Sequence, residues 1–331
     1  MRTRVLTNGL ELTELGVGMA QFGNLYRATT DEDSVAAVDA AWAGGIRYFD
    51  TAPHYGLGLS ERRAGLALSS RPRDEFVLST KVGRLIVDNP GGEGGRDTEG
   101  FDVPADKRRQ WDFSRDGILR SIEESLTRLG LDRIDIAYLH DPDDFRDQAT
   151  DEALPALVEL RDQGVLRAIG AGMNQAELPA HFIRNSDVDV IMLAGRYTLL
   201  EQGALDDLLP LAVERGVGIV AAGVYNSGLL SANRVPADAH YNYEPAPAEL
   251  IDRANRIAEV CERHGVTLPE AAVAFPLLHP AVVSVVLGAR TAAQVESNFD
   301  RFDTPVPAQL WRDLHSEGLL PQGAFTSYLE N

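Results

Sequence analysis

The chain has 331 residues, 44% hydrophobic and 24% charged, which describes a globular protein with material for a large core rather than a disordered chain. Its formal net charge of −19 argues against nucleic acid or an anionic membrane as partner, since both call for a basic surface. Met1-Arg2-Thr3-Arg4-Val5 passes at once into polar Thr7 and Asn8, no apolar run reaches about 18 residues, and the lone Cys261 sits in a helical pattern; a cytoplasmic chain without an internal disulfide or a cysteine nucleophile is expected.

An Asn-Gly turn between apolar runs, in Arg4-Val5-Leu6-Thr7-Asn8-Gly9-Leu10-Glu11-Leu12, predicts a small hairpin first. Eight short apolar, β-branched runs follow, at residues 15–20, 46–50, 76–81, 134–140, 166–170, 188–194, 216–221 and 282–287. Helical patterns separate them. Residues 31–43 open on acidic side chains and stop before Gly44-Gly45, and Ser114 stands where it would cap a helix running through Ile118, Ile122 and Leu126 to Gly130. This alternation predicts an α/β fold, a (β/α)8 TIM barrel with the N-terminal β-hairpin plugging its bottom. No composition shift marks a second domain, so residues 1–331 are read as a single barrel domain.

Two connections are too long for simple turns. Residues 82–113 contain Gly91-Gly92-Glu93-Gly94-Gly95 and a mixed-charge stretch up to Trp111, and residues 223–246 carry Pro236, Pro245 and several tyrosines. Both follow strands, so these long loops emerge at the C-terminal face, where barrel enzymes build their sites. The glycine-rich part reads as a lid or as a loose insertion. Trp111 and Tyr225 are pocket candidates.

The ends of three consecutive strands carry titratable groups. Tyr48-Phe49-Asp50-Thr51-Ala52-Pro53-His54-Tyr55-Gly56 delivers Asp50 and then Tyr55, Leu78-Ser79-Thr80-Lys81 delivers Lys81, and Tyr138-Leu139-His140-Asp141 delivers His140. A lone lysine at a strand end is commonly a solvated rim residue, and a lone histidine a structural one. Together they have a specific use: a phenol is a poor base at neutral pH, and a buried ammonium beside it favours the phenolate, while Asp50 would keep Lys81 charged and aimed. His54, His140 and Asp141 lack the spacing of a common metal site, and no metal is expected.

Gly45 through Asp50, Thr51, Ala52 and Tyr55 to Gly56 resembles the G-x-x-x-x-D-T-A-x-x-Y-G pattern of the aldo-keto reductase superfamily. The resemblance continues through Ser60-Glu61, Ser79-Thr80-Lys81, Ser121 to Gly130, Asp135, His140-Asp141, and Gly288 to Asn298. It implies a catalytic tetrad of Asp50, Tyr55, Lys81 and His140, with Tyr55 exchanging the proton while hydride passes to or from a nicotinamide, NAD or NADP.

In the same family, Gly170-Ala171-Gly172-Met173-Asn174 resembles the segment that holds the nicotinamide carboxamide, with Met173 where serine is usual and Asn174 retained. Asn174 could equally cap the helix that begins at Gln175. A glutamine and an aromatic usual on the next strands are replaced by Ala194 and Ala222, and Tyr197 or Tyr225 is the expected substitute. The adenine end is expected at Gly288, Arg290, Gln294 and Asn298, beside a helix N-terminus. Only Arg290 is cationic among these, which favours NAD.

Residues 50–63, with Trp111-Asp112-Phe113-Ser114 and Gly195-Arg196-Tyr197-Thr198-Leu199-Leu200, resemble the bacterial branch of aldose 1-dehydrogenases (L-fucose, L-galactose or D-arabinose type) and pyridoxal 4-dehydrogenase. The implied substrate is a small-molecule sugar or a pyridoxal-like hemiacetal. Phe22, His54, Trp111 and Tyr225 would line its pocket, the aromatics as flat apolar walls. A general carbonyl reductase and a non-catalytic, nucleotide-sensing barrel are the alternatives.

Overall fold

Eight parallel strands follow one another around a closed barrel, each paired with its sequence neighbours, in a computed structural model that describes residues 1–241, 244–321 and 323–324. They are β1 (Leu15–Gly18), β2 (Tyr48–Asp50), β3 (Val77–Val82), β4 (Ile136–His140), β5 (Ala168–Met173), β6 (Val190–Ala194), β7 (Gly218–Ala222) and β8 (Val282–Gly288). The surrounding helices are α1 (Asp31–Ala43), α2 (Leu59–Leu68), α3 (Arg115–Leu129), α4 (Leu154–Asp162), α5 (Glu177–Asn185), α6 (Leu208–Arg215), α7 (Ala248–Arg263), α8 (Leu268–Ala274), α9 (Ala292–Asp303) and α10 (Ala308–Ser316). No described helix is long and apolar enough to cross a membrane.

Strand alternation sorts the core into two layers. On β5, Ile169, Ala171 and Met173 pack toward the helices, whereas Ala168 belongs to the inner cluster with Tyr48, Ile136, Tyr138 and Val190. Leu6, Leu10 and Leu12 complete that inner cluster from the N-terminal hairpin, where Thr3–Val5 pairs with Glu11–Thr13, so the expected plug is in place. Gly9 turns this hairpin at φ 86°, and Arg4 ties it to β8 by donating to the carbonyl of Val282 at 2.6 Å. The Ser114 hydroxyl accepts from Gly117 N at 3.1 Å and opens α3 as expected, and at α1, where acidic residues were expected to open the helix, Thr30 forms a capping box with Asp33. Cys261 is a buried part of α7, and burial pushes its thiol up to about 12.

The fifth strand departs from expectation in a way that matters for the site. It does not end at Gly170 but runs to Met173, because Gly170 and Gly172 are paired with Tyr138 and His140 of β4. Glycine is required at the first of these, where an added Cβ would lie 1.6 Å from the carbonyl oxygen of Val190. Asn174 is not a helix cap either. The Gln175 side chain accepts from Leu178 N at 2.9 Å and starts α5 instead.

The two long connections fold over the C-terminal mouth. In the first, Arg84–Asp88 pairs antiparallel with Lys107–Trp111, so the segment is a β-hairpin rather than a loose insertion. Its glycine-rich tip is packed, with Asn89 Nδ2 donating to the Ala105 carbonyl at 2.8 Å, and Gly92 lies so close to that carbonyl that a Cβ would meet it at 1.9 Å. In the second, His240–Tyr241 pairs with Glu244–Pro245.

Candidate active site

Register brings the titratable groups at the strand ends to one level. Asp50 is paired with Ser79 across β2 and β3, Lys81 with Tyr138 across β3 and β4, and His140 with Gly172 across β4 and β5. Lys81 Nζ donates to Asp50 Oδ2 at 2.6 Å and to the Thr51 carbonyl at 3.0 Å, and Ser79 Oγ donates to Asp50 Oδ1 at 2.7 Å. Asp50 and Lys81 are both 3% exposed, so this ion pair lives in a low-dielectric pocket where hydrogen bonds to backbone and hydroxyl replace water. The ammonium lies 4.8 Å from the centroid of the Tyr55 ring.

Tyr55 is placed by backbone contact. Gly56 has φ 63° and sits on Gly23, whose added Cβ would fall 2.5 Å from the Tyr55 carbonyl carbon. Ser60 then accepts from Thr51 Oγ1 at 2.8 Å and donates to the Met19 carbonyl at 2.6 Å, while buried Glu61 accepts from Thr80 Oγ1 at 2.7 Å and pairs with Arg128 at 2.5 Å. These contacts give the Ser60-Glu61 and Arg128 motif residues their use: they bolt α2 and α3 to β3 behind the tyrosine. Burial raises the Tyr55 phenol above its ordinary value, and the opposing pull of Lys81 is the smaller effect. Lys81 therefore limits the rise rather than producing the net lowering expected from the pairing. Burial also draws the Lys81 ammonium down, but Asp50 and Tyr55 outweigh it and hold the lysine charged.

Two histidines close the other side. The His140 ring meets Tyr55 edge-on at 5.9 Å and His54 at 5.3 Å between centroids. Burial first, then Arg84, keeps His140 well below its ordinary value, so it is neutral; its Nδ1 is buried with no hydrogen-bond partner among the described residues. Arg84, on the hairpin, donates to Asp141 at 2.5 Å and stacks its guanidinium 4.1 Å over Trp111. Trp111 in turn stacks with Phe145 at 5.7 Å and Phe113 at 6.0 Å, and its exposed face forms an aromatic wall.

Beside this corner opens a cavity of about 800 Å³ whose floor is made of small residues at the ends of β6 and β7, Ala194, Gly195 and Gly223, flanked by Asn174, Arg196 and Tyr241. The exposed Asn174 gives its carbonyl to Arg196 Nε at 2.7 Å, while its side-chain amide makes no hydrogen bond among the described residues and is available to another amide. At the end of β8, Gly288 faces Gln21, which an added Cβ would meet at 2.5 Å; Asn298 Nδ2 donates to the Gly288 carbonyl at 3.4 Å, and Thr291 caps α9. The small-residue floor leaves room for a flat ring, the Asn174 amide could take a carboxamide, and the N-terminus of α9 could take an anion.

Residues 14–316 match the description of the Aldo/keto reductase family. The chain belongs to the aldo/keto reductase family. A D-threo-aldose 1-dehydrogenase from Pseudomonas sp is 50% identical over 316 residues, covering 95% of this chain and 96% of that one. A pyridoxal 4-dehydrogenase from Microbacterium luteolum is 38% identical over 330 residues, covering 94% and 96%. Among solved structures, an aldo-keto reductase from Bacillus halodurans in its holo form superimposes with a TM-score of 0.76 at 28% identity, covering 97% of each chain. As a member of this family the chain is an NAD(P)-dependent oxidoreductase acting on CH–OH groups.

Several residues expected at the aldo/keto reductase site stand elsewhere. Phe22 is 0% exposed inside the core, so it cannot be a pocket wall, and the Met173 side chain is packed toward the helices, offering the mouth only its backbone. Tyr197 is 1% exposed and donates to the Ala324 carbonyl at 3.1 Å, which removes it as a stacking partner at the mouth. Tyr225 lies at the Gly288 corner, donating to Asn298 Oδ1 at 3.5 Å and accepting from Arg301 at 3.1 Å, rather than opposite Trp111. Arg290 is buried and spends its guanidinium on the loop after β1, donating to the carbonyls of Arg27 and Leu25 at 2.7 Å each and to Thr29 Oγ1. Gln294 Oε1 accepts from Arg290 N at 2.7 Å. Reading the sequence missed Arg84 and Arg109; both sit on the hairpin, two-stranded register aims them inward, and only a period-two reading of residues 84–111 would have found them.

Proposed function

We propose that this aldo/keto reductase oxidises the hemiacetal carbon of an aldose, of the L-fucose, L-galactose or D-arabinose type, to a lactone. The observation that carries the reading is the 50% identity to a D-threo-aldose 1-dehydrogenase over nearly the full length of both chains. The buried Asp50–Lys81 pair against Tyr55 supports it, because this corner can move one proton at the reacting oxygen. Ala194 and Gly195 would seat a nicotinamide, which when bound would supply the hydride acceptor for C1. Tyr55, as phenolate, takes the proton of the C1 hydroxyl, leaving a C1–O double bond, and Lys81 stabilises the phenolate. His140, neutral, orients the same oxygen. Asn174 would hold the carboxamide, with Gly288 and the N-terminus of α9 at the adenine end; the guanidinium of Arg290 is already engaged, so a 2′-phosphate lacks that cation and NAD is favoured over NADP.

Pyridoxal is the second reading, favoured by the 38% relative and by the exposed face of Trp111, backed by Phe145, which suits a planar ring. The deciding experiment follows nicotinamide absorbance with NAD and NADP against L-fucose, L-galactose, D-arabinose and pyridoxal. The expected result is the highest kcat/KM with an aldose and NAD; pyridoxal exceeding every aldose would overturn the assignment.

A further inference from the structure

His54 immediately precedes Tyr55, yet nothing in the tetrad explains its environment. Its ring is mostly buried, touching His140, Tyr55 and Phe101 edge-on at 5.3, 5.9 and 5.2 Å between centroids. Arg109, on the hairpin, donates through Nε to His54 Nδ1 at 2.7 Å and through Nη2 to the His54 carbonyl at 2.9 Å. The guanidinium is gripped in turn by Asp97, which accepts from Nη1 and, at 3.1 Å, from Nη2; the Arg109 and Asp97 side chains are only 5% and 7% exposed.

An arginine has no lone pair to give and stays protonated in proteins, so the nitrogen that receives its N–H carries no proton of its own. Glu99 stands 3.7 Å from the same nitrogen, beyond hydrogen-bond reach, and cannot supply a competing acceptor. We infer that Arg109 is a positioning residue that locks His54 as the neutral Nε2–H tautomer, making His54 a fixed hydrogen-bond donor to a hydroxyl of the substrate beside Tyr55. The donor is Nε2, which makes no hydrogen bond among the described residues. Besides Glu99, the groups facing the ring are Arg109 and Arg84 from the hairpin, Lys81 from β3, His140 from β4 and Tyr55. Burial together with Arg84, Arg109 and Lys81 holds the imidazole down to about 2, which keeps the lock closed across the working range of pH. The hairpin over the mouth thereby acts on substrate through one ring nitrogen. The sugar hydroxyl as acceptor rests on the aldose reading; the tautomer does not.

Long-range nitrogen–proton correlation spectra of protein labelled with 15N-histidine test the lock directly, with His54→Asn identifying the resonance. The expected spectrum has a pyridine-type Nδ1 and a pyrrole-type, protonated Nε2 for His54, unchanged from mildly acidic to alkaline pH. A protonated Nδ1, or averaged shifts from two tautomers, in the wild-type protein overturns the proposal without need of any variant. In Arg109→Met the shifts should average and begin to titrate, kcat/KM for the best substrate should fall roughly tenfold, and the KM for NAD should stay unchanged. Shifts identical to wild type in that variant would also overturn the lock. A locked tautomer with no loss of kcat/KM would contradict only the hydroxyl contact and leave the aldose assignment to the substrate screen.

Discussion

At the ends of β2, β3 and β4 the titratable groups are buried and paired, with Lys81 and Ser79 each donating to Asp50 within 2.7 Å. At the ends of β6 and β7, by contrast, the mouth is floored with Ala194, Gly195 and Gly223, and the polar groups around it come from neighbouring loops. The first region is a preorganised electrostatic device whose parts constrain one another. The second is an open seat that a ligand must complete. Substitutions should therefore act on rate in the first region and on affinity in the second.

The largest effect expected is from Tyr55→Phe. Turnover should drop by about 10²–10⁴-fold while the unfolding temperature stays close to that of the native protein, because only the hydroxyl is lost. A well-folded Tyr55→Phe protein with ordinary turnover would erase the distinction between the two regions.

Asp50→Asn comes next and tests the cost of the buried pair. Leaving the Lys81 ammonium without its carboxylate should lower stability by roughly 3–5 kcal/mol, read in denaturant unfolding, and lower turnover less than loss of Tyr55. A small change in unfolding midpoint would mean that the pocket admits water.

Beyond the end of β8, Arg290→Gln should weaken NAD and NADP together, by roughly tenfold in KM, since it frees the loop after β1 rather than removing a phosphate ligand. If it instead erases a preference between the two cofactors, the guanidinium turns toward the 2′-position when nucleotide binds. The smallest effect is assigned to Trp111→Ala, which should raise the KM for substrate by about threefold to tenfold, with the KM for NAD unmoved, because one exposed aromatic face is lost.

The same contrast governs how much could be read from the chain itself. Asp50, Lys81 and His140 were legible because each ends an apolar run, and strand register then carries all three to one level of the barrel. Barrel closure, the hairpin plug and the cap at Ser114 follow from local patterns of the same kind. Phe22, Met173 and Tyr197 were misplaced because their side chains depend on which face of a short strand or turn they occupy, and that is decided by packing against distant helices. Arg290 was legible as a cation near α9 but not as the clasp of residues 25–29, a partnership about 260 residues away in sequence. The net rise of the Tyr55 phenol was hidden for the same reason: the ammonium beside it is visible in the motif, while the depth of burial is a property of the whole fold.

The most direct test of the central claim is kcat/KM for the best aldose across pH in wild type and Lys81→Met. Because burial lifts the Tyr55 phenol above its ordinary value and Lys81 pulls it part of the way back, the phenolate fraction, and with it oxidation, should climb as pH rises above neutral. Removing the cation takes away the largest downward pull on the phenol, so the rising limb should move to higher pH and its plateau should fall. An Lys81→Met profile that overlays the wild type would show that Lys81 does not tune the proton-transfer group, and would contradict the role of the buried Asp50–Lys81 pair in catalysis.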